Sequence, residues 1–238
     1  MLLGIDNMSK KRQRIRMKRK MALSAFMGLI ISSSILTGTE ISDYINDEKC
    51  DKIIDKKVFT VCYDYIAKGA KYVYYTLDGK LVNAVNLKKR KSFYTEKNLP
   101  KAYRSYNKDY THSGYDRGHL ASDASFDYDK KVLRKVYTMA NIIPQSPKVN
   151  RYTWIKSEKL ERLVAVKLGS VHILNGVIYD ENPQRIGKHN IAIPKAFWKM
   201  IFNDDANYKK CFLYQNSRDI DTKKDKLKNH EIECSLLD

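Results

Sequence analysis

Residues 150–180 read NRYTWIKSEKLERLVAVKLGSVHILNGVIYD. Trp154, Leu160, Leu163, Val164 and Leu168 recur at near-helical spacing, and Gly169 stops the run. The next residues, SVHILNGVIYD, are apolar, rich in β-branched side chains and closed by turn residues, which predicts a buried strand. The flanks are strand-like on both sides. KVFTVCYDY (57–65) is a first strand, and IAIPKAFWKMIF (191–202) and KKCFLYQN (209–216) are later ones. In YVYYTLDGKLVNAVNL (72–87), two β-rich runs meet at Asp78-Gly79, which predicts a hairpin. A short helix is predicted over 130–137. YTMANIIPQSP (137–147) is an apolar run stopped by Pro144 and Pro147. Strands before and after one long helix predict an α+β fold: a mostly antiparallel central sheet flanked by helices.

The chain has 238 residues, 43% of them hydrophobic and 30% charged, enough for one domain with a real core. Its formal net charge is +18. Residues 1–20 hold eight Lys/Arg against one acid, a local +7, which leaves +11 on the remainder. A body that basic attracts polyanions such as nucleic acid, anionic lipid or acidic polysaccharide.

SKKRQRIRMKRK precedes an uncharged run, Met21 to Leu36, in the order of a signal sequence or an uncleaved anchor. The run is short for a membrane span, which needs roughly 20 residues, so cleavage and anchoring both stay open. The organisation expected is a basic leader (1–20), an apolar signal or anchor segment (21–38), a polar linker (39–49) and a folded domain (50–238). The expected location is outside the cytoplasm, periplasmic or secreted, with residues 21–36 as the one membrane contact. Four cysteines agree with export, and Cys50–Cys62 and Cys211–Cys234 are the pairs expected of the three pairings possible.

The chemistry centres on YDRGHLASD (115–123). Of five histidines only His119 follows an acid, an arginine and a glycine. A histidine near neutrality takes a proton from water. Arg117 carries a planar fork suited to phosphate, and Gly118 permits close backbone approach. Alone, four residues define no more than a possible acid–base site.

The order and spacing of YDRGH, MANIIPQSPKVN and NRYTWIKSEKLER resemble the DNA/RNA non-specific endonuclease family, the Serratia-type group of ββα-metal (His-Me finger) nucleases. The resemblance runs from about Tyr72 to about Tyr214. It implies a ββα-metal active-site motif and hydrolysis of DNA and RNA phosphodiesters to 5′-phosphates. It makes His119 the general base and Asn150 the direct ligand of Mg²⁺, with Mn²⁺ as the alternative ion. Glu158 would hold one of the ion's waters. Arg117 and Arg162 would stabilise charge on the phosphate, Asn141 would shape the site, and Arg90 is the candidate upstream phosphate-binding arginine. Glu158 and Arg162, four residues apart, share a helix face. In a straight α-helix Asn150 and Glu158 would lie roughly 12 Å apart, too far to serve one hydrated ion. Irregular chain before Trp154 is therefore expected. Ser122 stands where many relatives have proline. The rival class is a membrane-tethered nucleic-acid binding protein, serving DNA uptake, in which the same fold binds without cutting. A basic surface protein for other acidic polymers is the third.

Overall fold

The computed structural model describes residues 41–237. The basic leader and the apolar segment expected over 1–38 lie outside the described residues. No helix among the described residues is long and apolar enough to cross a membrane.

The strands are β1 (Lys52–Asp55), β2 (Thr60–Asp64), β3 (Gly69–Asp78), β4 (Asp116–His119), β5 (Ile142–Gln145), β6 (Ser170–Ile178), β7 (Arg185–Ile186), β8 (Ile191–Ala192), β9 (Ala196–Asn203), β10 (Tyr208–Gln215) and β11 (Glu231–Ile232). The α-helices are α1 (Lys130–Val136) and α2 (Ile155–Leu168). Seven strands form one sheet in the order β1-β2-β3-β6-β9-β10-β11, antiparallel at every pairing. The fold is α+β, as the sequence predicts. β4 and β5 form a separate antiparallel pair, and so do β7 and β8.

Alternation along the strands sorts the two sheet faces. Val73, Tyr75 and Leu77 of β3, Val171, Ile173 and Val177 of β6, and Phe197 and Ile201 of β9 enter the main core with Trp154, Val164 and Ala165. Leu174, Trp198, Met200 and Phe202 pack a second cluster on the opposite face. That face is covered in part by Tyr44, whose ring meets Tyr72 and Trp198 edge-on at 5.7 and 5.8 Å. The polar linker expected at 39–49 is thus corrected for its described part. Ile41, Tyr44 and Ile45 supply apolar cover to a sheet that would otherwise face water.

The hairpin expected at Asp78-Gly79 is not formed. β3 ends at Asp78, and its second partner is β6, with Leu77 opposite Val171. Gly79 serves close approach instead of a hairpin turn. Its N–H donates to the Gly169 carbonyl at 2.8 Å, and a Cβ there would lie 2.2 Å from the Ala165 carbonyl oxygen. Residues 80–85 form turns against the end of α2 and not a strand.

Helix α2 ends at Gly169, whose φ is 87°. Before it lies a π-helical turn, Val149–Trp154, continuous with α2. The irregular chain expected there is therefore a wide helical turn. Short π segments inside α-helices recur at functional sites. Both expected disulfides form, Cys50–Cys62 and Cys211–Cys234.

Candidate active site

β4, β5 and the helix that follows bring the sequence motifs together as strand, strand, helix. His119 sits at the end of β4 opposite Ile142, and Asp116 at its start opposite Gln145. Gly118 lies between them because Gln145 packs across it. A Cβ at Gly118 would come within 2.3 Å of Gln145 Oε1 and 2.7 Å of its Cβ.

The chain beyond His119 is tied down by two asparagines. Asn141 is fully buried, and its Oδ1 accepts from the Ala121 N–H at 2.8 Å. Its Nδ2 donates to the Ala121 and Val136 carbonyls. Asn141 therefore spends its whole side chain on backbone, in the manner of a positioning residue. Asn175 of β6, which the sequence reading did not single out, donates to the Leu120 carbonyl at 3.0 Å and joins this loop to the central sheet.

The His119 ring is half-buried between Phe93 and Tyr137, at centroid distances of 5.5 and 4.8 Å. Its Nε2 is buried and has no hydrogen-bond partner. Such atoms are rare because they cost free energy, and they mark places where water or a ligand belongs. Burial pushes the His119 pKa down to about 4; Asp123 opposes that shift and Arg90 reinforces it. The imidazole is therefore neutral at pH 7 and can accept a proton.

Asn150 lies in the π-helical turn, and its N–H donates to the Ser146 carbonyl at 2.8 Å. Its Nδ2 donates to Asp116 Oδ2 at 2.9 Å, which fixes the amide and leaves Oδ1 without a partner among the described residues. Arg151 binds the same carboxylate with two hydrogen bonds of 2.7 Å. Burial raises the Asp116 pKa, but the bonds from Arg151 and Asn150 outweigh it and hold the group below the ordinary carboxylate value. Asp116 is thus an ionised anchor for Asn150. The DRGH motif hints at that acid, but nothing local names its partners 34 and 35 residues away.

Glu158, on the first turn of α2, has no hydrogen-bond partner among the described residues. Burial pushes its pKa up to about 7, against the lowering effect of Lys199; Glu161 raises it further, Arg162 lowers it, and Asp123 also raises it. Asp123 thus acts on both His119 and Glu158, which puts the three in one electrostatic neighbourhood. Arg162 keeps Nη1 buried without a partner, a donor in reserve. Glu158 and Arg162 form no ion pair.

Arg90 is half-exposed and held by Asp127 at 2.9 Å and Asp123 at 3.4 Å. Asp123 also accepts from the Tyr137 hydroxyl at 2.8 Å, which links Arg90 to the ring packed on His119. Arg117 is turned to a neighbouring segment. Its guanidinium bonds the Asn107 side chain and donates to the Asn107 carbonyl at 2.7 Å, and it stacks near Phe93 and Tyr110.

Beneath Glu158 lies a buried charge pair that sequence reading missed. Glu161 and Lys199 are fully buried and bonded to each other, and Glu161 also accepts from Tyr75 at 2.9 Å and Ser125 at 2.8 Å. The signal was the lysine inside the otherwise apolar strand AFWKMIF.

The family model described as DNA/RNA non-specific endonuclease matches residues 38–237. This chain belongs to the DNA/RNA non-specific endonuclease family. It is 26% identical over 161 residues to the mitochondrial endonuclease G of Homo sapiens, covering 63% of this chain and 54% of that protein. It is 24% identical over 176 residues to the mitochondrial nuclease EXOG of Homo sapiens, covering 70% and 45%. It is 27% identical over 161 residues to the mitochondrial nuclease of Saccharomyces cerevisiae, covering 62% and 49%. The chain spans about half the length of these relatives. The crystal structure of the EndoG/EndoGI complex superposes with a TM-score of 0.70 at 22% identity, covering 78% of this chain and 81% of that one, a likeness of fold.

For a member of the non-specific endonuclease family, no group of three or more His, Cys, Asp or Glu among the described residues could hold a metal ion. The donors present fit a different kind of site, one amide oxygen and one carboxylate. An ion that keeps several waters suits such a donor set.

Proposed function

We propose that this protein is an exported, divalent-metal-dependent endonuclease that hydrolyses DNA and RNA without sequence choice. The observation that carries the reading is the buried, unpartnered Nε2 of a neutral His119, set on the same strand as the carboxylate that fixes Asn150. His119 takes the proton from a water as that water attacks phosphorus. The P–O3′ bond then breaks, the 3′-oxygen takes a proton from a second water and leaves as a 3′-hydroxyl, and a 5′-phosphate remains. Asn150 Oδ1 would hold Mg²⁺ or Mn²⁺ directly and Glu158 through a water. Bound there, the ion would neutralise charge developing on the phosphate. Arg162 offers its free Nη1 to the same charge, and Arg117 and Arg90 line the approach of the backbone. Substrate is gripped through phosphate, so affinity falls with salt.

Export is supported by the basic-then-apolar order of residues 1–38 and by the two disulfides. The body is released into the periplasm or medium, or held at the inner membrane by residues 21–36.

The oxidised body is incubated with closed circular plasmid and with RNA, in Mg²⁺ and in EDTA. The proposal expects loss of both polymers in Mg²⁺ and of neither in EDTA. Tight, salt-sensitive binding without cleavage in any divalent ion would favour the membrane-tethered binding protein instead.

A further inference from the structure

A histidine–carboxylate pair lies one step from Arg117. Asp109, 1% exposed at its side chain, accepts from His189 Nδ1 with both oxygens, at 2.8 and 2.9 Å. His189 sits on the turn between β7 and β8. That turn can close on Asp109 only because residue 187 is glycine: φ is 66°, and a Cβ would meet the Asp109 Cβ at 2.3 Å. The pair fixes the imidazole and leaves Nε2 without a partner among the described residues. The Tyr106 ring lies 4.3 Å from the imidazole, and Lys108 reaches over Tyr106 at 6.0 Å. Asn107, between those two residues, accepts two of the three hydrogen bonds of the Arg117 guanidinium; Thr111 accepts the third. A rigid aromatic pair with a cation on its rim therefore continues directly from Arg117, next to His119 on β4.

We infer that Tyr106, Lys108 and His189 form a flanking subsite that binds one nucleotide of a single-stranded segment of the substrate beyond the scissile phosphate. The ring pair offers a face for a base, and Lys108 takes the adjoining phosphate. Base–aromatic stacking is sequence-tolerant because every base has a π-face, which suits an enzyme without sequence choice. The Asp109–His189 bond alone would serve a purely structural clamp. It does not account for a half-exposed tyrosine that carries a lysine over its ring. The inference rests on the nuclease reading.

The test separates the two. Binding of a 20-nucleotide single strand is measured in EDTA by fluorescence anisotropy, across a salt series, for wild type, Tyr106→Ala, Tyr106→Trp and Lys108→Ala. Lys209→Ala, on the exposed side of β10, is the charge control. Turnover in Mg²⁺ is compared between the 20-mer and a p-nitrophenyl phosphodiester of one nucleotide. Tyr106→Ala and Lys108→Ala should each weaken 20-mer binding about fivefold or more, and Tyr106→Trp should restore it. Lys108→Ala should also flatten the salt slope by about 0.7, while the control shifts Kd less than twofold. The kcat/KM ratio of 20-mer to mononucleotide diester should fall with the binding. Binding within twofold of wild type in both alanine variants overturns the subsite, as does an equal loss on both substrates. Wild type that binds the 20-mer but cuts neither substrate overturns the nuclease reading instead, and the anisotropy still judges the subsite.

Discussion

Two residues in the site have environments that push their proton affinities apart. Burial lowers His119 to about 4 and raises Glu158 to about 7. The first shift keeps the imidazole neutral through the physiological range. The second means that Glu158 is half-protonated near neutrality before an ion arrives. A cation prefers the carboxylate, so ion binding releases a proton and tightens as pH rises through 7. The Mg²⁺ concentration for half-maximal activity should therefore fall about tenfold between pH 6 and pH 8. A flat dependence would show that Glu158 takes no part in holding the ion. At this scale His119, Asn150 and Glu158 were legible because a short motif carries each of them. Asp116 as the anchor of Asn150, and Phe93 and Tyr137 as the walls around His119, were not. Those contacts join residues far apart in sequence, and no local pattern encodes them.

At the scale of elements, the two-stranded β4–β5 pair and the π-helical turn set the geometry. Gly118 is the tight point of the pair. Gly118→Ala drives a Cβ to 2.7 Å from the Gln145 Cβ, which neither strand can absorb by rotating a side chain. The expected cost is about 1–3 kcal/mol, read as a lower urea midpoint, with a loss of activity larger than the loss of stability explains. Unchanged stability would mean that β4 and β5 can separate freely. The helix and its glycine stop were readable from periodicity, as were strands β6, β9 and β10. The supposed hairpin at Asp78-Gly79 was misread because a glycine selected for close approach looks, in sequence, like a glycine selected for a turn. The spacing of Asn150 and Glu158 called for irregular chain before Trp154, but not for the π-helical form it takes, with Asn150 held by Asp116 and Trp154 buried in the core.

Across the whole molecule, a seven-stranded antiparallel sheet braces the site from below. Its one buried cation, Lys199, sits in β9 and faces α2, where Glu161 takes it. Removing one partner leaves the other charged and dry. Lys199→Met alone should cost about 3–5 kcal/mol in urea unfolding, and adding Glu161→Leu should recover much of it. A single variant as stable as wild type would mean that the pair is not a fixed part of the core. This brace lay beyond the sequence reading because pairing Glu161 with Lys199 requires knowing that α2 lies across β9. The basic balance of the chain was visible at once, and it sets the class of polymer the surface attracts but not the place where it is cut.

If His119 is the base and not a binding residue, its removal slows cleavage and spares affinity. The most direct measurement is single-turnover cleavage of a labelled duplex by wild type and His119→Ala in saturating Mg²⁺, with the duplex Kd measured in parallel. His119→Ala should keep a Kd within about threefold of wild type and cut more slowly by about 10²–10⁴-fold. A variant that cuts at the wild-type rate, or loses cleavage only in proportion to lost binding, would contradict it.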